Sequence, residues 1–98
     1  AYLSENERVA SEIVYTSLCS ARDLWTGGER AASALESAIR AVIQSEPLAT
    51  LEYAAVIDPE SFEPHGGPIP VTGPNTGALA LVAVRFGTTR LIDNLRLP

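Results

Sequence analysis

Residues 85–94, RFGTTRLIDN, collect side chains that chemistry commonly uses. Two guanidiniums, two hydroxyls, a carboxylate and a carboxamide surround a single glycine. Three roles fit such a set: a catalytic loop, a phosphate cradle, or a turn between two strands. Gly87 and Thr88 lie between apolar runs, and glycine at the first central position suits a two-residue hairpin turn. That register sets Arg85 opposite Arg90, where like charges repel by a few tenths of a kcal/mol or more. A neutraliser is then required: Glu52 on a neighbouring strand, Asp93, or an anion from outside. The residues favour a structural role for both arginines, and backbone contacts at a strand end for Asp93 and Asn94. The functional alternative for Asp93 and Asn94 is contact with a neighbouring domain.

Other reactive residues do not converge. His65 lies in a polar loop, and with Cys19 it makes no metal-ligand spacing, so no metal site is expected. Cys19 falls on the apolar side of a helical pattern and is expected to be buried, which argues against a thiol nucleophile. GPNTG, residues 73–77, is glycine-rich but is followed by neither a helix nor a lysine, so it lacks the parts of a phosphate cradle. All seven basic residues are arginines, which excludes Schiff-base and Walker-type lysine chemistry. Glu5, Glu7 and Glu12 belong to the exposed face of the first helix, where acidic residues near the N-terminus favour the helix dipole. No self-sufficient active site emerges, and no catalytic or substrate-binding residue is assigned.

The elements that must carry these residues follow from periodicity. SENE at residues 4–7 matches a capping box. Ala10, Ile13, Val14, Leu18, Ala21, Leu24 and Trp25 recur at threes and fours, with Ser17 completing the stripe, and predict a long amphipathic helix stopped by Gly27 and Gly28. A second helix is expected over residues 29–45, with Leu35, Ile39 and Ile43 in its stripe and Pro47 beyond its end. Alternation then predicts a strand, with Leu51, Tyr53, Ala55 and Ile57 on one face and Glu52, Ala54, Val56 and Asp58 on the other. Residues 58–62 read as a turn. Residues 64–77, with four prolines and four glycines, read as a long mobile loop. Residues 78–86 form a central strand buried on both faces, and residues 89–97 a third strand. The fold class is α+β: a helical hairpin packed on a small three-stranded antiparallel sheet.

Composition bounds the remaining possibilities. The 98 residues suit one domain, 46% of them are apolar, and the formal charge is −5. That charge argues against nucleic acid or an anionic membrane as a partner. One unpaired cysteine and the absence of a long apolar run or signal peptide suggest a cytoplasmic setting. The sequence contains no methionine and opens on AYLSENER, so a processed chain or, preferably, a piece of a longer one is expected.

Three segments in order carry a resemblance. YLSENERVA (residues 2–10), LEYAAVIDPESFEP (51–64) and VAVRFGTTRLIDN (82–94) resemble the opening, middle and closing motifs of the C-terminal domain of the pantothenate synthetase (pantoate–β-alanine ligase) family. The resemblance covers essentially the whole chain. It implies an AMP-forming ligase that condenses pantoate with β-alanine through a pantoyl-adenylate, using ATP and Mg²⁺. It also implies an N-terminal nucleotide-binding domain, absent here, over which residues 1–98 close as a lid, within a homodimer built largely by that missing domain. In the family a Ser-Ser-Arg-Asn stretch precedes the first motif, so no adenylate-forming residue carries over and the fragment binds no cofactor itself. Arg90, Asp93 and Asn94 are the candidate interdomain contacts. The loop EPHGGPIPVTGPNTG is longer and richer in proline and glycine than is usual for the family.

Two alternatives belong to other classes: an independent protein-interaction module using the exposed sheet face or the long loop, and a small-molecule regulatory domain.

Overall fold

The structure is a computed structural model and describes residues 5–65, 67–70 and 77–98. Five elements run in the order α1 (Glu5–Thr26), α2 (Ala32–Gln44), β1 (Ala49–Ile57), β2 (Ala78–Phe86) and β3 (Thr89–Leu97). The expected order and the α+β class are both observed. The predicted capping box falls largely outside the described residues, as do residues 71–76 of the long loop.

The stop at the end of α1 is a Schellman arrangement. Gly28 has φ +108°, its N–H donates to the Trp25 carbonyl at 3.0 Å, and the Glu29 N–H donates to the Leu24 carbonyl at 2.9 Å. Arg30 completes the cap. Its Nη1 donates to the carbonyls of Trp25 and Glu29 at 2.6 and 2.8 Å, and its guanidinium lies 3.8 Å from the centre of the Trp25 ring. α2 starts three residues later than periodicity predicts, because this cap occupies residues 29–31. Ala31 is the N-cap and supplies no side-chain acceptor.

The three strands form one antiparallel sheet in the order β1-β2-β3. Both helices cover the same face. Val14, Leu18, Ala21 and Trp25 from α1 and Leu35, Ile39 and Ile43 from α2 meet Ala78, Ala80, Val82, Val84 and Phe86 of β2. Leu97 closes one end of this core, and Trp25 Nε1 donates to the Pro98 carbonyl beside it at 2.9 Å. Burying a single Leu, Ile or Val from each of these positions stabilises the fold by about 1.5–3 kcal/mol before entropy is counted.

Strict alternation fails in β1. The register slips between Leu51 and Tyr53, so Glu52 is the extra residue of a β-bulge. Leu51 faces the core, yet beyond the bulge it is Ala54 and Val56 that do so, while Tyr53, Ala55 and Ile57 turn to the opposite face. The expected grouping of Leu51 with Tyr53, Ala55 and Ile57 is therefore wrong. One inserted residue exchanges the two faces for the rest of a strand. β2 is likewise buried completely on one face only. On the other face Leu79 and Leu81 are half-buried and Arg85 is exposed, since no described helix covers that side.

Candidate functional site

The opening stretch is a hairpin. Phe86 pairs with Thr89 across Gly87 and Thr88, Gly87 has φ +59°, and Thr88 is not in the left-handed region. Positive φ at the first central residue alone is the pattern of a type II′ turn. Arg85 then stands opposite Arg90. Glu52 bridges the two. Its Oε2 accepts from Arg85 Nη2 at 3.1 Å, and its Oε1 accepts from Arg90 Nε. Alternation from Leu51, which packs on the core, already turns Glu52 to the helix-free face, and the bulge then keeps Tyr53 on that same face. The Arg90 hydrogen bond, with a weaker one from Arg85, holds the Glu52 carboxyl below its ordinary range although desolvation opposes them. The same carboxylate raises the Arg90 guanidinium.

Register divides the three candidate contact residues. Arg90 pairs with Arg85 and Asn94 with Leu81, which places both on the face opposite the helices. Asp93 pairs with the buried Val82 on the helix side, where it is half-buried. Its Oδ1 accepts from the Asn94 N–H at 2.8 Å, a backbone contact in the middle of β3 and not at a strand end.

The helix-free face thus carries Tyr53 and Ile57 from β1, Leu79, Leu81, Ala83 and Arg85 from β2, and Arg90, Ile92, Asn94 and Arg96 from β3. Tyr53 is 40% exposed and Ile92 56%. The result is an apolar centre between cationic margins, a composition suited to recognition more than to bond making. No signal in the sequence revealed it, because the bulge that brings Tyr53 here is a property of strand pairing.

Other parts of the molecule offer less. An open cleft of about 380 Å³ at the start of α2 is lined by Ala31, Ala32, Ser33, His65, Gly67 and Pro68, with no carboxylate or cation among them. Cys19 is half-buried, where burial was expected, and its Sγ accepts a 3.4 Å contact from Arg22 Nη2. Among the described residues, no group of three or more His, Cys, Asp or Glu could hold a metal ion, and no helix is long and apolar enough to cross a membrane. Asp58 organises the turn after β1. Its Oδ1 accepts from the N–H groups of Glu60 and Ser61 at 2.8 and 3.0 Å, and these bonds hold its carboxyl low.

The class of molecule is therefore a small two-layer α+β unit with its own core and one sheet face that no described element covers. Comparison with known proteins is more specific. The family profile described as pantoate-beta-alanine ligase matches residues 1–96, and the chain belongs to that family. It is 44% identical over 100 residues to a pantothenate synthetase of Rubrobacter xylanophilus, covering 100% of this chain and 32% of that one. It is 43% identical over 97 residues to a bifunctional pantoate ligase/cytidylate kinase of Gloeobacter violaceus, covering 96% of this chain and 17% of that one. The fold is similar to the crystal structure of pantothenate synthetase from Thermus thermophilus, with a TM-score of 0.82 at 28% identity, over 98% of this chain and 32% of that one. The chain spans about a third of the length of the pantothenate synthetases it matches.

Proposed function

We propose that this chain is the C-terminal lid of an ATP-dependent ligase that joins pantoate to β-alanine. Membership of the pantoate–β-alanine ligase family supports this reading, and so does the match of the whole chain to about a third of its relatives. The carrying observation is that this third forms a closed core while its polar residues serve turns, caps and ion pairs. In the proposed reaction the pantoate carboxylate attacks the α-phosphorus of ATP and pyrophosphate leaves. The β-alanine amine then attacks the acyl carbon of the pantoyl-adenylate, and AMP leaves. ATP and Mg²⁺ belong to the preceding nucleotide-binding part, and no residue of this chain is assigned to the bond-making steps.

The contribution of this unit is closure. An acyl-adenylate is prone to hydrolysis, so a cover that excludes water protects the intermediate and strengthens electrostatic contacts beneath it. The test compares the 98-residue chain with the longer polypeptide that contains it. The longer polypeptide should form pantothenate from pantoate, β-alanine and ATP. The 98-residue chain should form none and show no ATP heat in calorimetry. Saturable ATP binding by the short chain would overturn the lid assignment.

A further inference from the structure

The outer strands β1 and β3 each turn a row of backbone groups away from β2, and the pairing decides which groups these are. The turn at Gly87 and Thr88 is closed by Phe86 and Thr89, and residues that close a two-residue hairpin exchange hydrogen bonds. Bonded and non-bonded pairs alternate along an antiparallel ladder. Phe86–Thr89, Val84–Leu91, Val82–Asp93 and Ala80–Leu95 are therefore the bonded pairs. Arg90, Ile92, Asn94 and Arg96 direct their N–H and C=O groups outward, away from β2. The same alternation continues across β2. Leu79, Leu81 and Ala83 bond to Ile57, Ala55 and Tyr53, which leaves the backbone groups of Ala54 and Val56 pointing outward from β1.

A carboxylate occupies one outward donor on each of these strands. The Asn94 N–H donates to Asp93 Oδ1 at 2.8 Å, and the Val56 N–H donates to Glu36 Oε2 at 2.9 Å. Neither contact serves a turn or a helix end, since both amides lie within nine-residue strands. On β1 the acceptor comes from α2, a second element. On β3 it comes from the strand itself, and among the described residues Asn94 is the one outward β3 amide that a side chain accepts from. An open strand edge is a template for another strand, and folded proteins close such edges with charge. We infer that Asp93 is an edge guard: its carboxylate keeps β3 from pairing with β3 of a second copy of this chain.

The sequence of β3 would otherwise suit that pairing. With Ile92 opposite Ile92 in an antiparallel register, Arg90 of each copy falls opposite Asn94 of the other. No arginine then stands opposite an arginine, unlike Arg85 and Arg90 within the hairpin. All of these residues direct their backbone groups outward, so each pair would exchange two hydrogen bonds. In this register the Asn94 N–H would donate to the Arg90 carbonyl of the second copy. Asp93 already holds that N–H, and its Oδ1 stands where the incoming carbonyl oxygen has to lie. The arriving carbonyl loses its donor and meets a carboxylate oxygen that it cannot bond, which makes the pairing unfavourable at two points in each two-fold pair.

Amide exchange and sedimentation of the 98-residue chain test the inference. In the unmodified chain the Asn94 amide should exchange on the order of tenfold more slowly than the Ile92 amide, after each is corrected for its intrinsic rate. This comparison involves no variant, so it does not depend on one folding. Asp93→Ala should erase the difference in dilute solution and make the chain associate further than the unmodified chain as concentration rises. Asp93→Asn keeps an acceptor at Oδ1 and should preserve the protection of Asn94 without added association. Asp93→Ala combined with Asn94→Pro removes the outward donor altogether, a change that an edge strand tolerates, and should return association to the level of the unmodified chain. Equal exchange at Asn94 and Ile92 would overturn the inference. So would an Asp93→Ala chain that folds and associates no more than the unmodified one, or added association that persists with Asn94→Pro.

Discussion

Arg85 and Arg90 are direct partners in the β2–β3 ladder, two like charges held face to face two residues from the turn. Their repulsion is relieved from a third strand, by the bulged Glu52, whose two oxygens each take one guanidinium. The hairpin and the edge strand are thereby tied together by polar groups on the side of the sheet that no helix covers.

Acid should weaken this tie in a defined direction. The Glu52 carboxyl is held low chiefly by Arg90 and then Arg85, and the Asp58 carboxyl by the Ser61 and Glu60 amides. The unfolded chain therefore takes up these protons at higher pH than the folded chain does. The stability they contribute is complete above the ordinary carboxylate range, about pH 4, and is lost as pH falls through the lower folded values. Urea midpoints measured from pH 7 to pH 2 should show Glu52→Gln less stable at neutrality and converging with the parent in acid. A constant offset across the whole range would remove the ion pair from the account.

Two glycines should respond differently to alanine. A Cβ on Gly77 would lie 2.5 Å from the Leu97 carbonyl oxygen, at φ +85°. Gly87 also has positive φ, but a Cβ there meets nothing within 4 Å. Gly77→Ala should cost on the order of 3 kcal/mol, from clash and backbone strain together. Gly87→Ala should cost about 1 kcal/mol, from backbone strain alone. Thermal melts would separate them, since about 1 kcal/mol moves the midpoint of a domain this size by several degrees.

Arg30→Ala should loosen the end of α1. It removes a hydrogen bond to the helix-terminal carbonyl of Trp25, another to the Glu29 carbonyl of the link, and the cation stacked on Trp25. A loss of about 1–3 kcal/mol is expected. The single tryptophan reports the change directly, because it is 4% exposed and sits under the guanidinium. Its emission should shift to the red in the folded variant.

Glu36 guards an edge. Its Oε2 accepts from the Val56 N–H at 2.9 Å, a donor on β1, which is an outer strand of the sheet. Glu36→Ala leaves that donor without a partner and should cost about 1–3 kcal/mol. Exchange at the Val56 amide should accelerate at least tenfold, while Glu36→Gln, which keeps an acceptor in place, should retain most of the protection.

The order of the five elements was readable in advance, as were the hairpin at Gly87, the opposition of Arg85 and Arg90, and Glu52 as one possible neutraliser. Each depends on short-range rules: threes and fours along Val14, Leu18 and Trp25, glycine where φ must be positive, and apolar runs of strand length. The family motifs were legible for the same reason, being contiguous. The start of α2 was placed too early, because the cap built by Arg30 uses backbone carbonyls that no side-chain pattern marks. Leu51 was grouped with Tyr53, Ala55 and Ile57, which the bulge places on the opposite face from it. A bulge is decided between two strands far apart in sequence, and it turns Tyr53 and Ile57 to the helix-free face while bringing Val56 to the helix side. From that one pairing follows the place of Tyr53 in the apolar centre of the helix-free face. Local periodicity specifies which segments are helix or strand; the side each residue presents is settled only when the strands pair, because one extra residue reverses it.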